Sequence, residues 1–99
     1  MTRISLILSA FALLAACDPA QMADKVGRRT AETVVQPVVG DGAATQCIVQ
    51  NASADEVKTL MRDVGVVAGS STKALIAAIS ARAPTQDCLR AAGVPAPVL

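Results

Sequence analysis

The 99-residue chain has no histidine, tryptophan or tyrosine, and its single aromatic residue is Phe11. Without histidine it lacks the commonest acid–base side chain at neutral pH and the commonest metal ligand. With no aromatic ring after residue 11, it offers no platform for stacking nucleic-acid bases and no cage for a quaternary ammonium group. An excess of one charge sign is missing too: nine Lys and Arg stand against eight Asp and Glu. Lys25, Arg28 and Arg29 form the largest basic cluster, spaced as on one helical surface and expected to be a solvated face. Nucleic-acid-binding domains carry a broader basic footprint, so no nucleic acid is expected as a partner. The one long apolar stretch, residues 4–15, is broken only by Ser5 and Ser9. It is shorter than the about 20 residues that span a hydrocarbon core. No repeat of useful length is present.

Motifs that carry chemistry are sparse. Ser70-x-x-Lys73 matches the nucleophile pattern of serine β-lactamases, but the partner motifs are missing and the chain is far too short for that fold. Ser70 is better read as a helix cap and Lys73 as a solvated side chain. Asp55 and Glu56 are adjacent, so on a helix they diverge; they suit its positive end rather than paired acid–base work. Asp41, Asp55, Glu56 and Asp63 lack calcium-loop spacing. Gly40-Asp41-Gly42 lacks the Lys and Ser or Thr of a phosphate-binding loop and reads as a turn. No catalytic, metal-binding or cofactor-binding residue is expected.

What is present begins at the amino terminus. Arg3 supplies a short positive region, the apolar stretch follows, and Leu14-Ala15-Ala16-Cys17 closes it with small side chains before a cysteine. This arrangement resembles the lipobox of bacterial lipoprotein signal peptides. The resemblance covers about 18 of the 99 residues. It implies that Leu14, Ala15 and Ala16 are recognised by the signal peptidase and that the thiol of Cys17 takes a diacylglycerol thioether before cleavage. Membrane lipid is then the first partner, held through Cys17, and the protein faces the periplasm. Two or more acyl chains are needed for stable anchoring. Asp18 resembles an inner-membrane retention signal of some bacterial lipoproteins; the choice of inner or outer membrane stays open.

Under that processing, residues 1–16 are the leader, 17–23 a lipidated tether and 24–99 a small helical domain. The mature chain loses Arg3 and Phe11, leaving eight basic residues against eight acidic ones and no aromatic ring. Its core must be aliphatic, and a chain of this size buries only about 60–65% of its unfolded surface. With Cys17 lipidated, Cys47 and Cys88 are the two thiols left in an oxidising compartment, and a disulfide between them is expected. An intermolecular bridge and two buried thiols remain as alternatives. No C-x-x-C is present, so a thioredoxin-like motif is absent.

Periodicity predicts helices. The first covers residues 24–36, with Asp24 as N-cap, an apolar stripe of Val26, Thr30, Thr33 and Val34 flanked by Met22 and Val38, and Pro37 ending it. Residues 45–50 are either a short extended segment or the start of a helical turn. Ser53 and Glu56 match a capping box for a helix over residues 54–64, with Val57, Leu60, Met61 and Val64 on one face and Gly65 as its stop. A third helix runs from a Ser70 or Ser71 cap to residue 82, burying Leu75, Ile76 and Ile79. Pro84 ends it. Thr85 caps a fourth over residues 86–92, with Cys88, Leu89 and Ala92 inward and Gly93 as its stop. The fold expected is all-α, a small three- to four-helix bundle stapled by one disulfide.

The function expected is a membrane-anchored periplasmic lipoprotein with a non-catalytic binding or structural role and a possible envelope protein as partner. Two alternatives stand beside it. One is a small inhibitor or enzyme accessory acting on an envelope hydrolase through an exposed loop at residues 66–71. The other is a membrane-acting stress lipoprotein.

Overall fold

Twenty-one residues, Pro19–Val39, form one continuous helix, α1. It opens the described part of the chain, residues 19–99 of a computed structural model. Four shorter helices follow: α2 (Gly42–Gln50), α3 (Ala54–Met61), α4 (Ser70–Ser80) and α5 (Ala83–Ala91). No strand occurs among the described residues. The all-α class holds among the described residues, which form five helices in place of three to four.

The extra helix is α2, where residues 45–50 left an extended segment open. Asp41 is its N-cap, the Oδ1 atom accepting the Ala44 N–H at 2.9 Å. That cap lies inside Gly40-Asp41-Gly42, whose composition reads as a plain turn. Five α2 residues are buried: Ala44, Thr45, Cys47, Ile48 and Val49.

Helix α1 starts earlier and ends later than the spacing predicts. Residues 19–23 belong to the helix, and proline suits a first turn because its missing N–H has no intrahelical partner there. Asp24 is no cap; its carboxylate accepts from Arg28 Nε at 2.8 Å, one turn on. Pro37 lies inside the helix, only two residues before its end. Val35 is fully buried, and Val38 and Val39 pack on the core, which holds the last turn despite the proline. The buried face also differs. It is Gly27, Ala31, Val34 and Val35, whereas Met22 and Val26 are more than 60% exposed and Thr33 is exposed.

Helix α3 carries the expected capping box. Ser53 Oγ accepts the Glu56 N–H at 3.2 Å, and Glu56 Oε1 accepts the Ser53 N–H at 2.8 Å. It ends at Met61, short of residue 64, and only Val57 and Leu60 of the expected face are buried; Met61 and Val64 are exposed.

Helix α4 has Gly69 as N-cap and no side-chain cap, so neither Ser70 nor Ser71 caps it. Its first turn instead holds Thr72, whose Oγ1 donates to the Asp63 carboxylate. A negative charge near a helix N-terminus is favourable. Ile76 and Ile79 are fully buried and Leu75 is partly so.

Pro84 falls in the first turn of α5, where it is tolerated, and Arg82 is that helix's N-cap. Thr85 is inside the helix rather than capping it. Gly93 ends the element at φ +70°, as Val94 N–H reaches back to Leu89 O at 3.0 Å. Cys88 and Leu89 face inward, but Ala92 is exposed.

The main core joins α1 to α4 through Ala31, Val35, Ile48, Val49, Ala52, Val57, Leu60, Ile76 and Ile79. Helix α5 attaches through a smaller cluster of Ala44, Cys47 and Leu89. The Cys47–Cys88 disulfide crosses that second cluster within one chain, with Cα atoms 5.7 Å apart.

Thr85 is 0% exposed and its Oγ1 has no hydrogen-bond partner. An unmet buried hydroxyl costs about 1–3 kcal/mol. Thr85→Val is therefore expected to raise stability by about 1 kcal/mol, read as a higher urea midpoint at unchanged slope. A lower midpoint would mean that the hydroxyl is satisfied in solution.

Candidate functional site

An apolar groove of about 670 Å³ lies between α1 and α3. Helix α1 supplies Ala20, Met22, Ala23, Val26 and Gly27; α3 supplies Ala54, Val57 and Met61. Gly27 forms part of the floor, where an added Cβ would come within 3.4 Å of Met61 Sδ and 3.5 Å of Val57 Cγ1. The lining also includes Asp24, engaged with Arg28, and Lys58. Met22, Lys25, Val26 and Arg29 fall at i, i+3, i+4 and i+7, so one exposed face of α1 mixes apolar and basic side chains. Lys58 and Arg62 are similarly spaced on the α3 side. Among the described residues, Lys25, Arg29, Lys58 and Arg62 make no ion pair.

Arg28 leaves the solvated face expected for it. Its Nη1 donates to Val49 O at 2.6 Å and to Ala52 O at 2.9 Å. A cation thus satisfies carbonyls at the C-terminal end of α2, where the helix dipole favours positive charge. This contact joins α1 to the α2–α3 connection, beside the groove.

Arg82 is the other bridging residue that local spacing does not reveal. It makes a bidentate pair with Glu56, at 2.7 Å to Oε1 and 2.6 Å to Oε2, and also donates to Asn51 O at 3.1 Å. The Arg82 guanidinium, helped by the Ser53 backbone N–H, pulls the Glu56 carboxyl from 4.5 down to about 2. Because the folded value is depressed, the stabilisation is present above the ordinary value of 4.5 and is lost as pH falls toward about 2. Thermal midpoints across that window are expected to fall less steeply in Glu56→Gln than in the parent; identical slopes would show that the pair does not set acid stability.

Of the remaining polar residues, Asp63 and Lys73 line a second concavity of about 510 Å³ with Thr33, among apolar side chains such as Val34, Val38 and Val66. Ser70 and Lys73 are exposed in the first turn of α4, and Asp55 is exposed on α3. Asp41 caps α2, and Asp63 is engaged with Thr72. No group of three or more His, Cys, Asp or Glu side chains able to hold a metal occurs among the described residues. None of the described helices is long and apolar enough to cross a membrane. The structure brings Cys47 and Cys88 together. Leu14, Ala15, Ala16 and Cys17 lie outside the described residues.

No known protein family, curated protein or solved structure matches the chain.

Proposed function

We propose that this protein is a lipid-anchored component of the bacterial cell envelope, facing the periplasm, whose helical domain has a non-catalytic binding or structural role. The observation that carries this reading is the placement of the apolar groove. Its α1 wall begins at Ala20, three residues after the cysteine of the lipobox-like Leu14-Ala15-Ala16-Cys17. The groove has the character of a contact surface rather than a reaction centre, since its charged lining residues are Asp24, already paired, and Lys58. Intact mass after membrane extraction tests the anchor. A chain beginning at Cys17 with added acyl mass is expected, and Cys17→Ser should release the protein from the membrane fraction. An unmodified chain retaining Met1 would overturn it.

A second reading, an inhibitor or accessory of an envelope hydrolase, is favoured by the loop between α3 and α4. Val66 is 65% and Val67 91% exposed there. Purified protein should then change a hydrolase rate and Val67→Asp should abolish the change; no effect in any such assay sinks this alternative.

A further inference from the structure

We propose that the α1–α3 groove is a bilayer-docking face, occupied by acyl chains of an anionic leaflet while the surrounding basic residues meet lipid phosphates. This deepens the reading of a lipid anchor and rests on it. Three observations carry the proposal.

Exposure is the first. Met22 and Val26 are 62% and 63% exposed, and Met61 is 37% exposed, so the groove presents large apolar side chains to its surroundings. Two of the three are methionines, whose flexible thioether side chains adapt to an irregular apolar surface.

The second is reach. Ala20, at the groove, is three residues from Cys17. Three residues extend at most about 10–11 Å. An acyl group on Cys17 therefore holds the start of α1 close to the headgroup layer, and the groove opens beside that point of attachment.

Charge is the third. Lys25 and Arg29 flank Met22 and Val26 on α1, while Lys58 lines the opposite wall and exposed Arg62 follows it at the end of α3. Asp24 is neutralised by Arg28 at 2.8 Å. Among the described residues, Glu32, Asp55 and Asp63, each within one turn of Arg29, Lys58 or Arg62, oppose four cations with three carboxylates, leaving one positive charge in excess. Apolar side chains bordered by Lys and Arg suit the boundary between acyl chains and anionic headgroups. A protein partner would share the apolar term, but the short tether and the basic border favour lipid.

The chain has no tryptophan, so one introduced indole is a unique depth reporter. The lipidated protein carrying Met22→Trp, and separately Met61→Trp, would be reconstituted into vesicles of phosphatidylglycerol and phosphatidylcholine with brominated acyl chains. Vesicle flotation reads the anchor, and bromine quenching reads the groove. Quenching of both groove indoles, with Val67→Trp unquenched, is the expected result. Lys25→Gln combined with Lys58→Gln should shift the docked-to-undocked ratio roughly 30-fold on anionic vesicles and little on phosphatidylcholine alone. Protein that floats with unquenched groove indoles would overturn docking while leaving the anchor intact. Protein that does not float would overturn the anchor; added anionic vesicles would then decide the groove, quenching supporting it and no quenching refuting it. Non-reducing peptide mapping and far-UV circular dichroism confirm that each variant is folded, with Met22→Trp the milder substitution because its site is already exposed.

Discussion

Replacing Cys47 and Cys88 together by alanine is expected to lower the thermal midpoint by about 15–30 °C. The cross-link spans 41 positions, and closing a loop of that length is worth about 4 kcal/mol in the chain-entropy description. A small domain has a total stability nearer about 5 than 15 kcal/mol, so the loss removes most of it. The damage should also be local in its order. Helix α5 reaches the rest of the molecule through the Ala44–Cys47–Leu89 cluster, which the bridge itself crosses, whereas α1 to α4 share the larger core. Amide exchange over residues 83–94 is therefore expected to accelerate first and most. Uniform acceleration across all helices would mean that α5 is integral to the main core, and an unchanged midpoint would remove the staple from the account of stability.

Leu60→Ala is expected to cost about 2–5 kcal/mol, while Val64→Ala, on the same predicted stripe, should stay within about 0.5 kcal/mol. Leu60 is 0% exposed within the cluster that also holds Val35, Ile48, Ile76 and Ile79, so truncation leaves a cavity bounded by side chains from neighbouring helices. Val64 is 45% exposed, beyond the end of α3, and its loss opens no cavity. Urea midpoints of the two variants measure the difference. Equal losses would show that the helix continues to residue 64 in solution and buries the whole stripe.

Leu60 and Val64 mark where sequence legibility stops. Val57, Leu60, Met61 and Val64 have helical spacing, but spacing gives the face of an unbroken helix and not the point where its chain leaves the core. The same limit applies to α1. Its larger apolar side chains, Met22 and Val26, suggest the wrong face, because the buried one is built partly from Gly27 and Ala31, whose small size carries little hydrophobic signal. Helix α2 was hidden for a different reason: its cap, Asp41, sits between two glycines whose composition signals a turn. By contrast, the Ser53–Glu56 capping box and the glycine stop at Gly93 follow from interactions within a few residues, and helical period puts Ile76 and Ile79 on one apolar face; these were legible. Of the groove, the residues were visible but not their partnership, since its two walls meet only when α1 packs on α3.

The sequence by itself determined the all-α class, the aliphatic character of the core and the residues available for the staple. Those follow from composition, helical period and local hydrogen bonding. Only the tertiary structure decided that Met22, Val26 and Met61 are surface residues lining one groove, that Arg28 reaches Val49 and Ala52, and that Arg82 reaches Glu56. These contacts join residues from different helices, and their existence depends on how the helices rotate and close against one another. That rotation is set by many small burials acting together, among them Ala31, Ile48 and Leu60, and no single stretch of sequence contains them.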